Sequence, residues 1–334
     1  MAGRHDSQMS PIIMIPGSSA TQNRFDTLVK QLNKADHRRH SLIKLTVMTD
    51  DTIKMTGSLR ARDNEPIIVV GFQNNRDGYD NIKHQARWFS LAFKKLAAKY
   101  QFNNFKAIGH SNGGLIYTYY FEHYFNRDDI KVKRIMTIGS PYNFSEANLN
   151  HKTQMLADFI KYRDRLPKSA TMYSVAGTEN YDSDGLVPAR SVEAGKYIYQ
   201  GQVKHFTEIT VTGTNAQHSD LPQNAQIVTL IRTYMLDKPK QTRKGLVSTG
   251  TVEWAATRFS RCGLDSVQEF VTVAPVRKFR VLLRIVVKFG HGGGRNVHTI
   301  TSTSQSGPDF NSVLLSEFKC DGPQDCWLYY CRPN

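Results

Sequence analysis

Phe105-Lys106-Ala107-Ile108-Gly109-His110-Ser111-Asn112-Gly113 is the stretch that decides how this chain reads. A strand-like run ends in G-x-S-x-G, and a helix-like stretch follows from Asn112 to about Phe125, with Leu115, Tyr119 and the Glu122/His123 pair at helical spacing. A serine so placed sits on a tight strand-to-helix turn, and the flanking glycines leave room that a Cβ would fill. Ser111 is therefore the candidate nucleophile. A serine between glycines is otherwise an ordinary turn, so the strand and helix around it carry the assignment.

Outward from this point, strands alternate with helices up to about residue 240. Pro11–Ile15 is a short apolar run that ends in Pro16-Gly17-Ser18-Ser19, and a helical stretch with Phe25, Leu28, Val29 and Leu32 on one side follows. Leu42–Val47 and Pro66–Phe72 read as strands, the second apolar throughout, as expected where both faces of a sheet are covered. Ile82, Ala86, Phe89, Phe93 and Leu96 then mark a long amphipathic helix. Arg134–Pro141, Thr171–Gly177 and His205–Val211 are further strands, and Asn224–Met235 is the last helix. This alternation predicts a mostly parallel central sheet with helices on both faces. Active sites in such sheets lie at the carboxyl ends of the strands. Ser18, Ser111, Pro141, the Asp182/Asp184 loop and the His218 loop all fall there. Residues 143–168, polar and weakly helical, would form a cap over that end or a plain surface insertion.

Length and charge bound the alternatives. At 334 residues the chain suits one large α/β domain, residues 1–240, followed by an extension, residues 241–334. The net charge of +15 favours anionic partners. It is dispersed, however, and no helix-turn-helix, zinc-finger or RNP-type pattern accompanies it, so nucleic-acid binding is not expected. The N-terminus lacks the charged-then-apolar pattern of a signal peptide, and no apolar run reaches the roughly 18 residues of a membrane span. The chain reads as soluble. All four cysteines, Cys262, Cys320, Cys326 and Cys331, lie in the extension, where they allow three pairings.

A serine hydroxyl needs an imidazole to take its proton and a carboxylate to hold that imidazole. His218 follows the last strand and precedes the last helix, the right place for the base. His205 stands at the wrong end of its strand, and His110 is the variable residue of the motif. For the acid, Asp184 is favoured because Gly185 permits a sharp turn behind it, with Asp182 as its rival. The oxyanion hole needs two backbone N–H groups. Asn112 follows the nucleophile and supplies one; Ser18 supplies the other, with Ser19 as the alternative. Asp182-Ser183-Asp184-Gly185 opens like a calcium loop, yet the further ligands are absent, so no metal is expected and no cofactor is implied. His291-Gly292-Gly293-Gly294 copies an oxyanion motif of some lipases but lies far downstream of the nucleophile, and reads as a glycine turn.

Several blocks, in order, resemble one family. They are Ile15–Ser19, Asn64–Val69, Gln85–Trp88, Gly109–Gly114, Ile138–Asn143, Ser183–Pro188 and Asn215–Ser219. Over about residues 10–237 the chain resembles the α/β-hydrolases of unknown function in low-GC Gram-positive bacteria that are assigned to the cell surface. The resemblance implies the α/β-hydrolase fold, with Ser111 as nucleophile, Asp184 as acid and His218 as base, and a cell-surface or secreted location. Pro16-Gly17 stands where the family has His-Gly. The expected activity is that of a serine hydrolase cleaving an ester or related acyl bond in a small-molecule or lipid-like substrate. The alternative is a catalytically silent scaffold that binds a surface polymer or partner. For the extension, three readings stand: an accessory binding module, a poorly ordered tail, or a segment foreign to the parent gene.

Overall fold

The computed structural model describes residues 8–35, 39–126, 128–179 and 181–237, and the backbone of four strands within 281–329. The chain divides into two compact units, Met1–Gln241 and Thr242–Asn334. The first unit runs β1 (Ile12–Ile15), α1 (Asp26–Ala35), β2 (Leu42–Val47), β3 (Ile53–Thr56), β4 (Ile67–Phe72), α2 (Tyr79–Tyr100), β5 (Asn104–His110) and α3 (Asn112–His123). It continues through β6 (Lys131–Ile138), α4 (Gln154–Tyr162), β7 (Thr171–Thr178), α5 (Ala189–Glu193), α6 (Gly195–Tyr199), β8 (His205–Thr212) and α7 (Ala225–Leu230).

These strands form one eight-stranded sheet in the order β3-β2-β4-β1-β5-β6-β7-β8. Every pairing is parallel except that of β2 with β3. Side chains alternate across it. Ile13, Ile15, Ile68 and Val70 join α2, α3 and α4 in one core, while Ile12, Met14, Ile67 and Val69 join α1 and α7 in the other. Both faces of these strands are buried, which is why β1 and β4 are apolar at nearly every position. The stripe expected on α2 is the face that is buried, and Phe89 and Phe93 on it meet Tyr117 and Tyr120 of α3 at ring-centroid distances between 4.8 and 5.6 Å. Each such side chain contributes about 1.5–3 kcal/mol by leaving water.

Two elements differ from the sequence reading. β3 is an additional strand, made by a tight turn in which Asp51 takes φ 68 and Asp50 Oδ1 accepts the Thr52 N–H at 3.0 Å. The last helix is divided: α7 ends at Leu230, and Ile231–Met235 continues as a π-turn. Residues 143–168 contain α4, whose Met155, Leu156 and Phe159 belong to the main core.

At the amino ends of the strands lies a charge cluster, buried at Lys106 and Glu65 and partly exposed at Asp237 and Arg134. Lys106, fully buried in β5, is paired with Glu65 and, at 3.0 Å, with Asp237. Arg134 meets the same Asp237 at 3.0 Å, and the Asp237 N–H donates to Glu65 Oε1 at 2.7 Å. A buried ammonium requires such partners.

In the second unit, β9 (Val281–Lys288) pairs antiparallel with β10 (Val297–Ser304), and β11 (Glu317–Cys320) pairs antiparallel with β12 (Cys326–Tyr329). β9 is the apolar run Val281-Leu282-Leu283-Arg284-Ile285-Val286-Val287, and β10 runs through a stretch rich in Ser and Thr. Cys320 and Cys326 are register partners. Cys262, Cys331 and the 291–294 glycine turn lie outside the described residues.

Candidate active site

Ser111 stands between β5 and α3 with φ 53 and ψ −125. A side chain in that region is strained by about 1–3 kcal/mol, and such strain persists only where the surroundings impose it. Here the Ser111 N–H donates to Ile138 O at 2.8 Å, and Ser111 O accepts from the Gly114 N–H at 3.1 Å and the Ser140 hydroxyl at 2.8 Å. Gly113 lets α3 start against β1, since a Cβ there would lie 2.1 Å from Ile15 O. The turn is thus locked by strands on both sides of β5.

Asp184 and His218 are brought together. Asp184 is 1 % exposed, and its Oδ2 meets His218 Nδ1 at 2.7 Å. Its Oδ1 accepts the Val187 N–H at 2.7 Å and the Leu186 N–H at 3.1 Å, while the His218 N–H donates to Asp184 O at 2.8 Å. A carboxylate only accepts, so Nδ1 carries the hydrogen of this contact. Asp182, the rival, instead offers its backbone carbonyl to the Ala189 N–H at 2.8 Å.

The pair and the serine share neighbours. A Cβ on Gly139, the residue after β6, would lie 3.2 Å from both Asp184 Oδ2 and His218 Nδ1, and Gly139 follows the Ile138 carbonyl that holds Ser111. On the other side His110, next to Ser111, donates from Nε2 to His218 O at 3.1 Å, and the two rings lie 4.9 Å apart. Burial foremost, then the nearby His218, holds the His110 pKa well below the usual 6.5, so this ring is neutral. From α1's approach, Arg24 donates to Ser219 O and, at 3.1 Å, to Gln223 Oε1, bracing the His218 loop. Among the described residues, no hydrogen bond joins the Ser111 hydroxyl to His218. Catalytic hydrogen bonds are often long before substrate arrives.

The first loop packs on the serine. A Cβ on Gly17 would lie 2.7 Å from Ser111 Cβ and 3.3 Å from its Oγ. Ser19 has its N–H committed to Asn75 O at 2.8 Å, whereas the Ser18 and Asn112 N–H groups have no backbone partner among the described residues. Of the two loop serines, then, Ser18 is the one left with a free donor.

The loop after β4 was missed from the sequence. Asp77 Oδ1 accepts from Asn112 Nδ2 at 2.7 Å, tying this loop to the strand-to-helix elbow at Ser111. The rule that directs attention to the residue after each strand covers Gln73–Gly78 as well, and applying it to β4 finds this loop. Among the described residues no helix is long and apolar enough to cross a membrane.

An eight-stranded, mostly parallel sheet with a strained serine at the end of a central strand, and an Asp–His pair at neighbouring strand ends, defines the α/β-hydrolase class. Residues 3–238 match the family described as alpha/beta hydrolase of unknown function (DUF915), and the chain belongs to it. Among solved structures it is similar to the "putative cell surface hydrolase" of Lactobacillus plantarum WCFS1, with 57% identity over 70% of this chain and 94% of that one, at a TM-score of 0.64. It is also similar to the lin2722 gene product of Listeria innocua, with 27% identity over 69% of this chain and 96% of that one, at a TM-score of 0.62. No curated protein matches the chain.

Proposed function

We propose that the chain is a serine hydrolase of ester or related acyl bonds. The observation that carries this reading is the 2.7 Å Asp184–His218 contact, with the second carboxylate oxygen held by two amides, beside a serine in strained elbow geometry. In the reaction, Ser111 Oγ attacks the acyl carbonyl as its proton passes to His218 Nε2, and Asp184 keeps the imidazolium oriented. The Ser18 and Asn112 N–H groups receive the oxyanion. Collapse expels the leaving group with the proton from His218, and a water activated by the same ring then frees the acyl-enzyme. No cofactor enters these steps. By its name the L. plantarum relative acts at the cell surface, and we extend that location to this chain.

Short p-nitrophenyl esters, assayed with wild type and Ser111→Ala, test the reading. Turnover and fluorophosphonate labelling are expected from wild type and should fall by roughly 10³-fold or more in the variant. Equal turnover by both would remove Ser111 as nucleophile, and a wild type that neither turns over nor labels would favour the silent binding scaffold.

A further inference from the structure

Between β4 and α2, the turn Gln73–Gly78 touches both halves of the oxyanion hole. On one side Asn75 O accepts the Ser19 N–H at 2.8 Å, and Asn75 Nδ2 donates to Ala20 O at 3.0 Å. On the other side Asp77 Oδ1 accepts from Asn112 Nδ2 at 2.7 Å and from the Gly78 N–H at 2.8 Å. Ser19 is next to the Ser18 donor, and Asn112 is itself the second donor. One short turn therefore spans the gap between them.

The turn is itself fixed. Buried Gln85 of α2 donates from Nε2 to Asn74 O at 2.9 Å and to Arg76 O at 3.0 Å. Asn81 Nδ2 donates to Asp77 O at 2.7 Å, and Asn74 Nδ2 donates to Asn81 Oδ1 at 3.0 Å. With the Ser19 bond, four successive carbonyls from Asn74 to Asp77 are committed. An exposed surface turn needs no such anchoring, because water satisfies its carbonyls.

From these contacts we infer that Gln73–Gly78 is a strut that sets the separation of the two oxyanion donors, with Asp77 and Asn75 as positioning residues. The inference rests on the acyl-transfer reading. An oxyanion hole acts through donors placed before the reaction, so losing the strut lowers transition-state binding and leaves ground-state binding intact.

The test compares wild type, Asp77→Ala, Asp77→Asn, Asn112→Ala and the Asp77→Ala/Asn112→Ala double variant. The readouts are kcat and KM on p-nitrophenyl butyrate and affinity for phenylboronic acid, which becomes a tetrahedral anion on a serine. Asp77→Ala is expected to lower kcat roughly 10- to 100-fold at unchanged KM, short of the loss of a whole donor, and to weaken phenylboronic acid by a similar factor. Asp77→Asn keeps an acceptor oxygen and restores most of both. The double variant should be no slower than Asn112→Ala, since Asp77 acts through Asn112. Wild-type kcat in Asp77→Ala, equal losses in Asp77→Ala and Asp77→Asn, or additive losses in the double variant would each overturn the strut while leaving the serine chemistry standing. A wild type without Ser111-dependent turnover would overturn both.

Discussion

Ser111 and Glu122 stand at opposite ends of α3, and each occupies a place its chemistry resists. Ser111 is held in a conformation that side chains avoid. Glu122 is 2 % exposed, and among the described residues both its carboxylate oxygens lack a hydrogen-bond partner. Burial foremost pushes its pKa up from 4.5 to about 9; Arg165 opposes the rise, and Asp164 and Asp158 assist it. Tyr79, Tyr119 and Tyr199 are within electrostatic reach, and their own values are raised, so they stay neutral over the same range. The sign follows from linkage. The unfolded chain loses this proton near 4.5 and the folded one near 9, so stability from this group is complete below about pH 4.5 and drains away as pH rises to about 9. Glu122→Gln cannot ionise and escapes the loss. Its advantage over wild type should be near zero at pH 4.5 and reach a few kcal/mol at pH 8.5, at about 1.4 kcal/mol per pH unit at most. Urea denaturation at the two pH values checks this, and a pH-independent difference would contradict it.

The elements legible in the sequence were those whose pattern had a single physical cause. β4 reads as a strand buried on both faces, and α2 shows its stripe, because the core selects apolar residues at those positions. β3 escaped because its Ile53-Lys54-Met55-Thr56 is short and only half buried, and its pairing depends on the turn at Asp51. The site divides the same way. In the candidate site, Ser111 follows from its motif, His218 from its place after the last strand and Asp184 from the glycine behind it, whereas the Ser18 N–H differs from that of Ser19 only through the Asn75 carbonyl, and Asp77 reports itself only through its contact with Asn112. The elbow itself makes a prediction at this scale. In Gly113→Ala the new Cβ would meet Ile15 O at 2.1 Å and Ile15 C at 2.8 Å, so β1 and α3 must separate. Backbone atoms cannot swing aside as side chains do. A cost of about 1–3 kcal/mol or more is expected, together with slower fluorophosphonate labelling, because Ser111 and the Gly17 loop move apart. An unchanged urea midpoint with full labelling would show that the contact is looser than the geometry states.

For the whole molecule, the question is where the folding unit ends. The family match stops at residue 238, and the L. plantarum relative spans 94% of its own length while covering 70% of this chain. The first unit's last described residues are also integral to it: Leu236 packs in the core of α1 and α7, and Asp237 meets Lys106 and Arg134. The unit therefore extends at least to Asp237. We predict that a chain ending at residue 240 keeps the wild-type melting temperature to within about 2 °C and keeps its ester turnover, since it retains every one of these contacts. A chain ending at Leu236 removes the Asp237 side chain and leaves the buried Lys106 paired, among the described residues, with Glu65. Losing a hydrogen bond to a charged group costs about 2 kcal/mol, which for a unit of this size lowers the melting temperature by roughly 4–8 °C. Calorimetry and turnover on the two truncated chains separate the cases. If the longer one melts as low as the shorter, residues beyond 240 contribute to the hydrolase fold and the unit extends past Asp237.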